Sequence, residues 1–195
     1  MDTIFARSDA LQQQAWEIVA ETRVIETWQS IGATINLVGS LKTGLMMNHR
    51  DIDFHIYTNP FVLADSFTAM ARLAENPRFL SSRFINYIDQ VDRCVEWHAK
   101  YLDARGDTWQ IDMIHFLPDS AYVGYFEKVA ERVSALLTPE TRAAILRIKD
   151  AVPEGRKVMG IQVYRAVLEA GIRQPDEFWP WLEQQNSDGV INWMP

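Results

Sequence analysis

The stretch that most constrains what this chain can fold into is Leu37 to Thr58, LVGSLKTGLMMNHRDIDFHIYT. Ile35, Leu37 and Val38 lead into Gly39-Ser40, which reads as the end of a short buried strand and a tight turn. Leu41 to Asn48 has the length of about two helical turns. Asp51-Ile52-Asp53 then opens a second strand. Side chains alternate along a strand, so Asp51, Asp53 and His55 project to one face and Ile52, Phe54 and Ile56 to the other. Two carboxylates side by side repel, by about 4 kcal/mol at ~4 Å and an effective dielectric near 20. Water must screen them or a cation must hold them together. Oxygen-only ligands favour a hard ion such as Mg²⁺ or Mn²⁺.

Val38-Gly39-Ser40, a spacer of ten residues and Asp51-Ile52-Asp53 together resemble the signature of the nucleotidyltransferase superfamily, which shares the DNA polymerase beta-like fold. That signature is an apolar residue, Gly-Gly or Gly-Ser, a spacer of about ten residues, and Asp-x-Asp or Asp-x-Glu on the next strand. A third carboxylate belongs on a later strand between apolar neighbours, and Ile111-Asp112-Met113-Ile114 fits. The resemblance spans residues 31 to 117. It implies that Asp51, Asp53 and Asp112 hold Mg²⁺ and act in catalysis, and that Gly39 and Ser40 cradle the terminal phosphates of a nucleoside triphosphate. Lys42 and Arg50 flank the same place as candidates for pairing with phosphate. Among basic residues after the sheet, Lys149, Arg156, Lys157 and Arg165 could each meet the triphosphate, and the sequence does not choose between them. The plain alternative is an ordinary Gly-Ser turn beside a solvated strand edge.

At 195 residues, 48% of them hydrophobic, the chain can bury one core with a helical appendage. Its formal net charge of -7 argues against a long nucleic acid held by broad phosphate contacts, which would want a basic face. A local basic pocket for a triphosphate stays open. Cys94 is the one cysteine, so neither an internal disulfide nor a cysteine-rich zinc site is available. The first residues, MDTIFARSDALQQQ, lack the pattern of a signal peptide, and no run of apolar residues reaches membrane-spanning length. The cytoplasm is the expected compartment.

Along the chain, Ser8 or Asp9 would cap a first helix with a stripe of Leu11, Ala15, Ile18, Thr22 and Ile25. Asn59-Pro60 is a helix start, followed by Leu63, Phe67, Met70 and Ala74. Residues 79–88 are extended. Arg93 to Leu102 and Thr108 to Phe116 form a hairpin about Gly106. Val95, Trp97, Ala99 and Tyr101 share one face of it, and Gln110, Asp112 and Ile114 share a face of its return strand. A lone carboxylate at Asp112 needs a partner: a shared metal, or an arginine. Glu96 and Lys100 read as a surface pair. Beyond Pro118 the pattern turns helical, with starts at Asp119 or Ser120, at Thr138-Pro139 and at Gln174-Pro175. Pro180 interrupts the last helix. The expected architecture is α/β (α+β): a mixed-sheet nucleotidyltransferase core over residues 1–118, with a packed helical part over 119–195.

Expected function follows from the resemblance: transfer of a nucleoside monophosphate from ATP or another triphosphate to a hydroxyl, with release of pyrophosphate. A small-molecule acceptor, or a protein side chain, suits the acidic composition. The rival readings are a non-catalytic nucleotide- or partner-binding domain with a relic site, and a glycosyltransferase using Asp-x-Asp and Mn²⁺.

Overall fold

The structure is a computed structural model and describes residues 3–185 and 191–195. Five strands form one mixed sheet in the order β1-β2-β5-β4-β3. They are β1 (Thr34–Val38), β2 (Asp51–Tyr57), β3 (Phe79–Tyr87), β4 (Cys94–Leu102) and β5 (Thr108–Phe116). Only β2 and β5 are parallel; the other three pairings are antiparallel. The hairpin β4–β5 closes at Gly106, whose φ of +87° suits a residue without a side chain.

Three helices cover one face of the sheet: α1 (Thr3–Thr22), α2 (Val24–Gln29) and α4 (Leu63–Ala74). Ile52, Phe54 and Ile56 from β2 meet Trp97, Ile111 and Met113 beneath them in the main core. The strict alternation of apolar residues on these strands is what lets one face be buried while the other carries polar groups. A second core lies among α5 (Tyr125–Leu136), α6 (Pro139–Asp150), α7 (Gly160–Leu168) and α8 (Pro175–Glu183), centred on Ile145, Ile148, Val163 and Phe178. The mixed sheet followed by a packed helical region is therefore the architecture expected from the sequence.

Several local expectations are corrected. The first helix starts at Thr3, and Ser8 lies inside it, fully buried, donating to the Met46 carbonyl at 2.9 Å. A tertiary acceptor has taken the hydroxyl that would otherwise cap. Asn59–Pro60 is a cis peptide, and α4 begins only at Leu63. Helix α5 begins at Tyr125 after Gly124, not at Asp119 or Ser120; Ser120 instead donates to the Asp92 carbonyl at 2.7 Å. Pro180 lies within α8 without ending it. Glu96 and Lys100 do not pair: Glu96 meets His98 and Lys100 donates to Gln110. The stretch after Gly39 forms a shorter helix than expected, α3 (Gly39–Thr43), stopped by Gly44 at φ +73°. Leu45, Met46 and Met47 then run buried in non-helical backbone. Thr138 caps α6 as expected, its hydroxyl accepting from the Thr141 amide at 3.2 Å. Among the described residues no helix is long and apolar enough to cross a membrane. Part of the tail, residues 186–190, lies outside the described residues.

Candidate active site

Val38 ends β1 and Gly39 turns the chain at φ +67°. A Cβ on Gly39 would lie 2.1 Å from the Asp53 Oδ2 atom. Glycine is thus required twice, for the left-handed backbone and for the approach of the carboxylate. The turn is held by Thr43, whose hydroxyl donates to the Gly39 carbonyl at 3.1 Å. Its Leu41 is anchored in the main core. Ser40 is left partly exposed beside Asp53.

The parallel register places Asp53 opposite Asp112 and Asp51 opposite Gln110. Two strands therefore deliver three carboxyl groups to one patch of one sheet face. Asp53 is held well above the ordinary carboxylate range, first by burial, then by the charges of Asp51 and Asp112; Lys149 partly offsets this. Asp53 and Asp51 take no side-chain hydrogen bond from any described residue. Carboxyl oxygens that repel one another and lack donors fit a hard divalent cation. Among the described residues no three such groups form a closed ligand cluster. Asp112 turns toward other partners.

Asp112 accepts from the Gln110 amide at 3.0 and 2.9 Å and lies 2.8 Å from His98 Nδ1. The other ring nitrogen of His98 lies 3.0 Å from Glu96 Oε2. The partner of Asp112 is therefore a histidine on the neighbouring strand, not the arginine considered from sequence. Burial works against a charge on His98, but the hydrogen bonds and charges of Asp112, then Glu96, outweigh it and raise its pKa. Both ring nitrogens donate to carboxylates only in the imidazolium form.

Of the four basic residues left open by the sequence, Lys149 is the one brought to Ser40. Its ammonium is 2.8 Å from Ser40 Oγ and donates to the Leu45 carbonyl at 2.6 Å. The Tyr164 hydroxyl lies 3.2 Å from the same Ser40 oxygen. Lys149 is buried on α6, where a lysine in a helical stripe gives no signal of its destination. Arg165 pairs with Glu169 on its own helix. Arg156 lies over the Trp179 ring at 4.2 Å, and Lys157 lines a separate groove. Lys42 is exposed on α3, and Arg50 pairs with Asp107 at 3.0 Å; neither lines the cavity that holds Ser40.

That cavity has a volume of about 430 Å³ and runs from the three carboxylates to the helical region, where Phe126, Val129, Ile161 and Tyr164 wall it. Its far polar wall is His55, whose Nδ1 lies 3.3 Å from Glu127 Oε2. Tyr57 donates to Glu127 at 2.6 Å and Asn36 at 3.3 Å. Burial alone would raise the Glu127 carboxyl; the hydrogen bonds from His55 and Tyr57 hold it down to about 2. This cluster ties α5 to β1 and β2. The sequence did not single out Glu127, since nothing local marks one acid of an amphipathic helix as inward-facing.

No protein-family model matches the chain, and no curated protein matches it in sequence. Solved structures do resemble it. One is the non-canonical poly(A) polymerase complex GLD-2–GLD-3, at a TM-score of 0.54 and 12% identity over 98% of this chain and 70% of that one. A second is a cytoplasmic RNA terminal U-transferase, at 0.52 and 14% identity over 82% and 53%. A third is the RNA terminal uridylyl transferase Cid1, at 0.52 and 16% identity over 70% and 40%. This chain thus spans about half, or less, of the length of the two uridylyl transferases. The chain shares its fold with these solved structures.

Proposed function

We propose that the protein is a metal-dependent nucleotidyltransferase, transferring a nucleoside monophosphate from ATP or another triphosphate to a hydroxyl. The observation that carries this reading is the register Asp53–Asp112 under the Gly39–Ser40 turn, with Lys149 reaching Ser40 from the helical region. Residues 1–118 would form the nucleotide core and 119–195 the helical wall of its pocket.

In this reading the Ser40 hydroxyl and the Lys149 ammonium bind the terminal phosphates and neutralise the departing pyrophosphate. A divalent cation such as Mg²⁺, held by Asp51 and Asp53 with Asp112, would lower the pKa of the attacking hydroxyl and offset charge on the attacking and leaving oxygens. The Asp112 carboxylate takes the hydroxyl proton. The acceptor oxygen bonds to the α-phosphorus, the bond to the bridging oxygen breaks, and pyrophosphate leaves with its electron pair. His98 steadies Asp112 from the β4 side and shares its charge with Glu96.

A glycosyltransferase would also use the Asp-x-Asp pair, but it gives no role to the contact between Ser40 and Lys149. A relic binding domain is opposed by the intact set of three acids. On the acceptor, two lines of support diverge. Net charge favours a small molecule or protein side chain, whereas the structural neighbours are named for adding nucleotides to RNA. Calorimetry with ATP, with Mg²⁺ and then with excess chelator, followed by a pyrophosphate-release assay, tests the reading. Equal affinity with and without the divalent ion would overturn it.

A further inference from the structure

We infer that the groove on the far side of Asp51 seats a phosphate group of the acceptor, so that the acceptor is a phosphate-bearing molecule. The inference rests on the nucleotidyltransferase reading and names its second substrate by chemistry. The groove has a volume of about 920 Å³ and adjoins the first cavity at Asp51, Val158 and Met159. Arg50, Lys100, Arg156 and Lys157 line it, and Asp51 is the one carboxylate in its wall. That is a local excess of cations in a chain whose net charge is -7.

Three of the four cations are not neutralised by a carboxylate. Lys100 donates to the uncharged Gln110 side chain at 2.6 Å. Arg156 rests on the Trp179 ring, which leaves its charge intact. Lys157 has no ion pair with any described residue. Arg50 alone is paired, with Asp107. Grouped cations without counter-charges bind phosphate by direct pairing and by release of condensed ions.

The position follows from the reaction. Attacking and leaving oxygens lie roughly in line through the α-phosphorus. With the pyrophosphate at Ser40 and Lys149, the attacking hydroxyl must come in across the α-phosphorus from them. Gln110 lines the groove and also binds Asp112, the proposed proton acceptor. Gln110 thus joins the wall of the groove to the proposed proton acceptor. A cationic acceptor, such as an amino sugar, would meet repulsion there.

The test uses the full chain and three probes: hexa-adenylate RNA, ribose 5-phosphate and adenosine, each titrated with and without Mg²⁺ and a non-hydrolysable ATP analogue. The charge-reversal pair R156E/K157E, and Lys100→Gln as an independent variant, are measured alongside. One or both phosphate probes are expected to bind at least about tenfold more tightly than adenosine. With about three phosphate contacts, the RNA should show a log–log salt slope of about -2. Charge reversal should weaken the phosphate probes at least about tenfold while leaving affinity for the ATP analogue within about twofold. Binding of the RNA without ribose 5-phosphate identifies a polynucleotide acceptor; binding of both identifies a small phosphate ester. The inference is overturned if adenosine binds as well as the phosphate probes, if none binds, or if charge reversal lowers ATP-analogue affinity by the same factor. Failure of the nucleotidyltransferase reading shows itself separately, as loss of Mg²⁺-dependent binding of the ATP analogue by the wild type.

Discussion

Lys149 on α6 donates to Ser40 on α3 at 2.8 Å, across a sequence separation of 109 residues. The contact joins the helical region to the turn beneath the carboxylates. It also places a buried cation where the leaving phosphates are proposed to sit.

Replacing Lys149 with methionine keeps most of its volume and removes its charge. Triphosphate affinity should fall at least about tenfold, and monophosphate affinity much less, because the contact is to the terminal phosphates. Stability should fall by about 1–3 kcal/mol, since the Leu45 carbonyl loses its donor. Ser40→Ala should show the same preference for triphosphate over monophosphate without that stability loss. Calorimetry with ATP and AMP, beside thermal melting, reads both effects; equal losses for the two nucleotides would remove Lys149 and Ser40 from that role.

Asp112→Asn preserves shape, and its carbonyl can still accept from His98. Stability in chelator should change by less than about 1 kcal/mol, since clustered acids lose one repulsive charge as His98 loses one attractive charge. Transfer should drop by at least about a hundredfold, equivalent to roughly 2.7 kcal/mol of transition-state stabilisation. Some triphosphate binding should survive on Asp51 and Asp53. Pyrophosphate release and melting curves of wild type and variant decide this. A strongly destabilised variant in chelator would show that Asp112 serves mainly as a structural partner of His98.

Gly39→Ala introduces a Cβ at 2.1 Å from Asp53 Oδ2 and at φ +67°. The backbone alone costs about 1–2 kcal/mol, and Asp53 must move as well. Adding Asp53→Ala should restore part of the stability and none of the activity. Denaturant melts of both single variants and the double form the cycle; strictly additive stability losses would contradict the close approach.

Two groups should lose their contribution to stability in acid, in two stages, against a partly offsetting gain from Asp53, whose raised pKa favours the fold as it protonates. His115 is fully buried, with Nε2 2.9 Å from Thr58 Oγ1 and Nδ1 without a partner among the described residues. Burial pushes its pKa from 6.5 to about 4. The folded state favours the neutral ring, so stability is full above about pH 6.5 and falls toward pH 4, by an amount on the order of 3 kcal/mol. Glu127 is depressed from 4.5 to about 2. Its contribution is present above about pH 4.5 and is lost as pH falls toward 2. Melting temperature measured against pH should show both stages, and His115→Gln should flatten the first while leaving the second.

The core strands were legible from residue order because β2, β4 and β5 alternate strictly, and a period of two states which face is buried. The three acids were legible for the same reason, since spacing puts Asp51 and Asp53 on one strand face and Asp112 alone among apolar neighbours. Helix starts were less legible. Ser8 and Ser120 are good caps locally, but each hydroxyl is satisfied by a carbonyl far away in sequence. Propensity loses to a tertiary hydrogen bond whenever burial leaves that bond as the available partner.

Pairing of charges was decided by tertiary structure alone. Residue order determined the strand faces, the Gly-Ser turn and the position of each acid on its strand, and the family resemblance implied a mixed sheet that would bring the three together. Order did not determine that Asp112 would meet His98, that Lys149 would be the cation at Ser40, or that Arg156, Lys157 and Lys100 would share one groove. Each of those relationships joins residues on separate strands or helices. Spacing along one element specifies a face of that element, whereas the partner of that face is set only when packing brings another element over it.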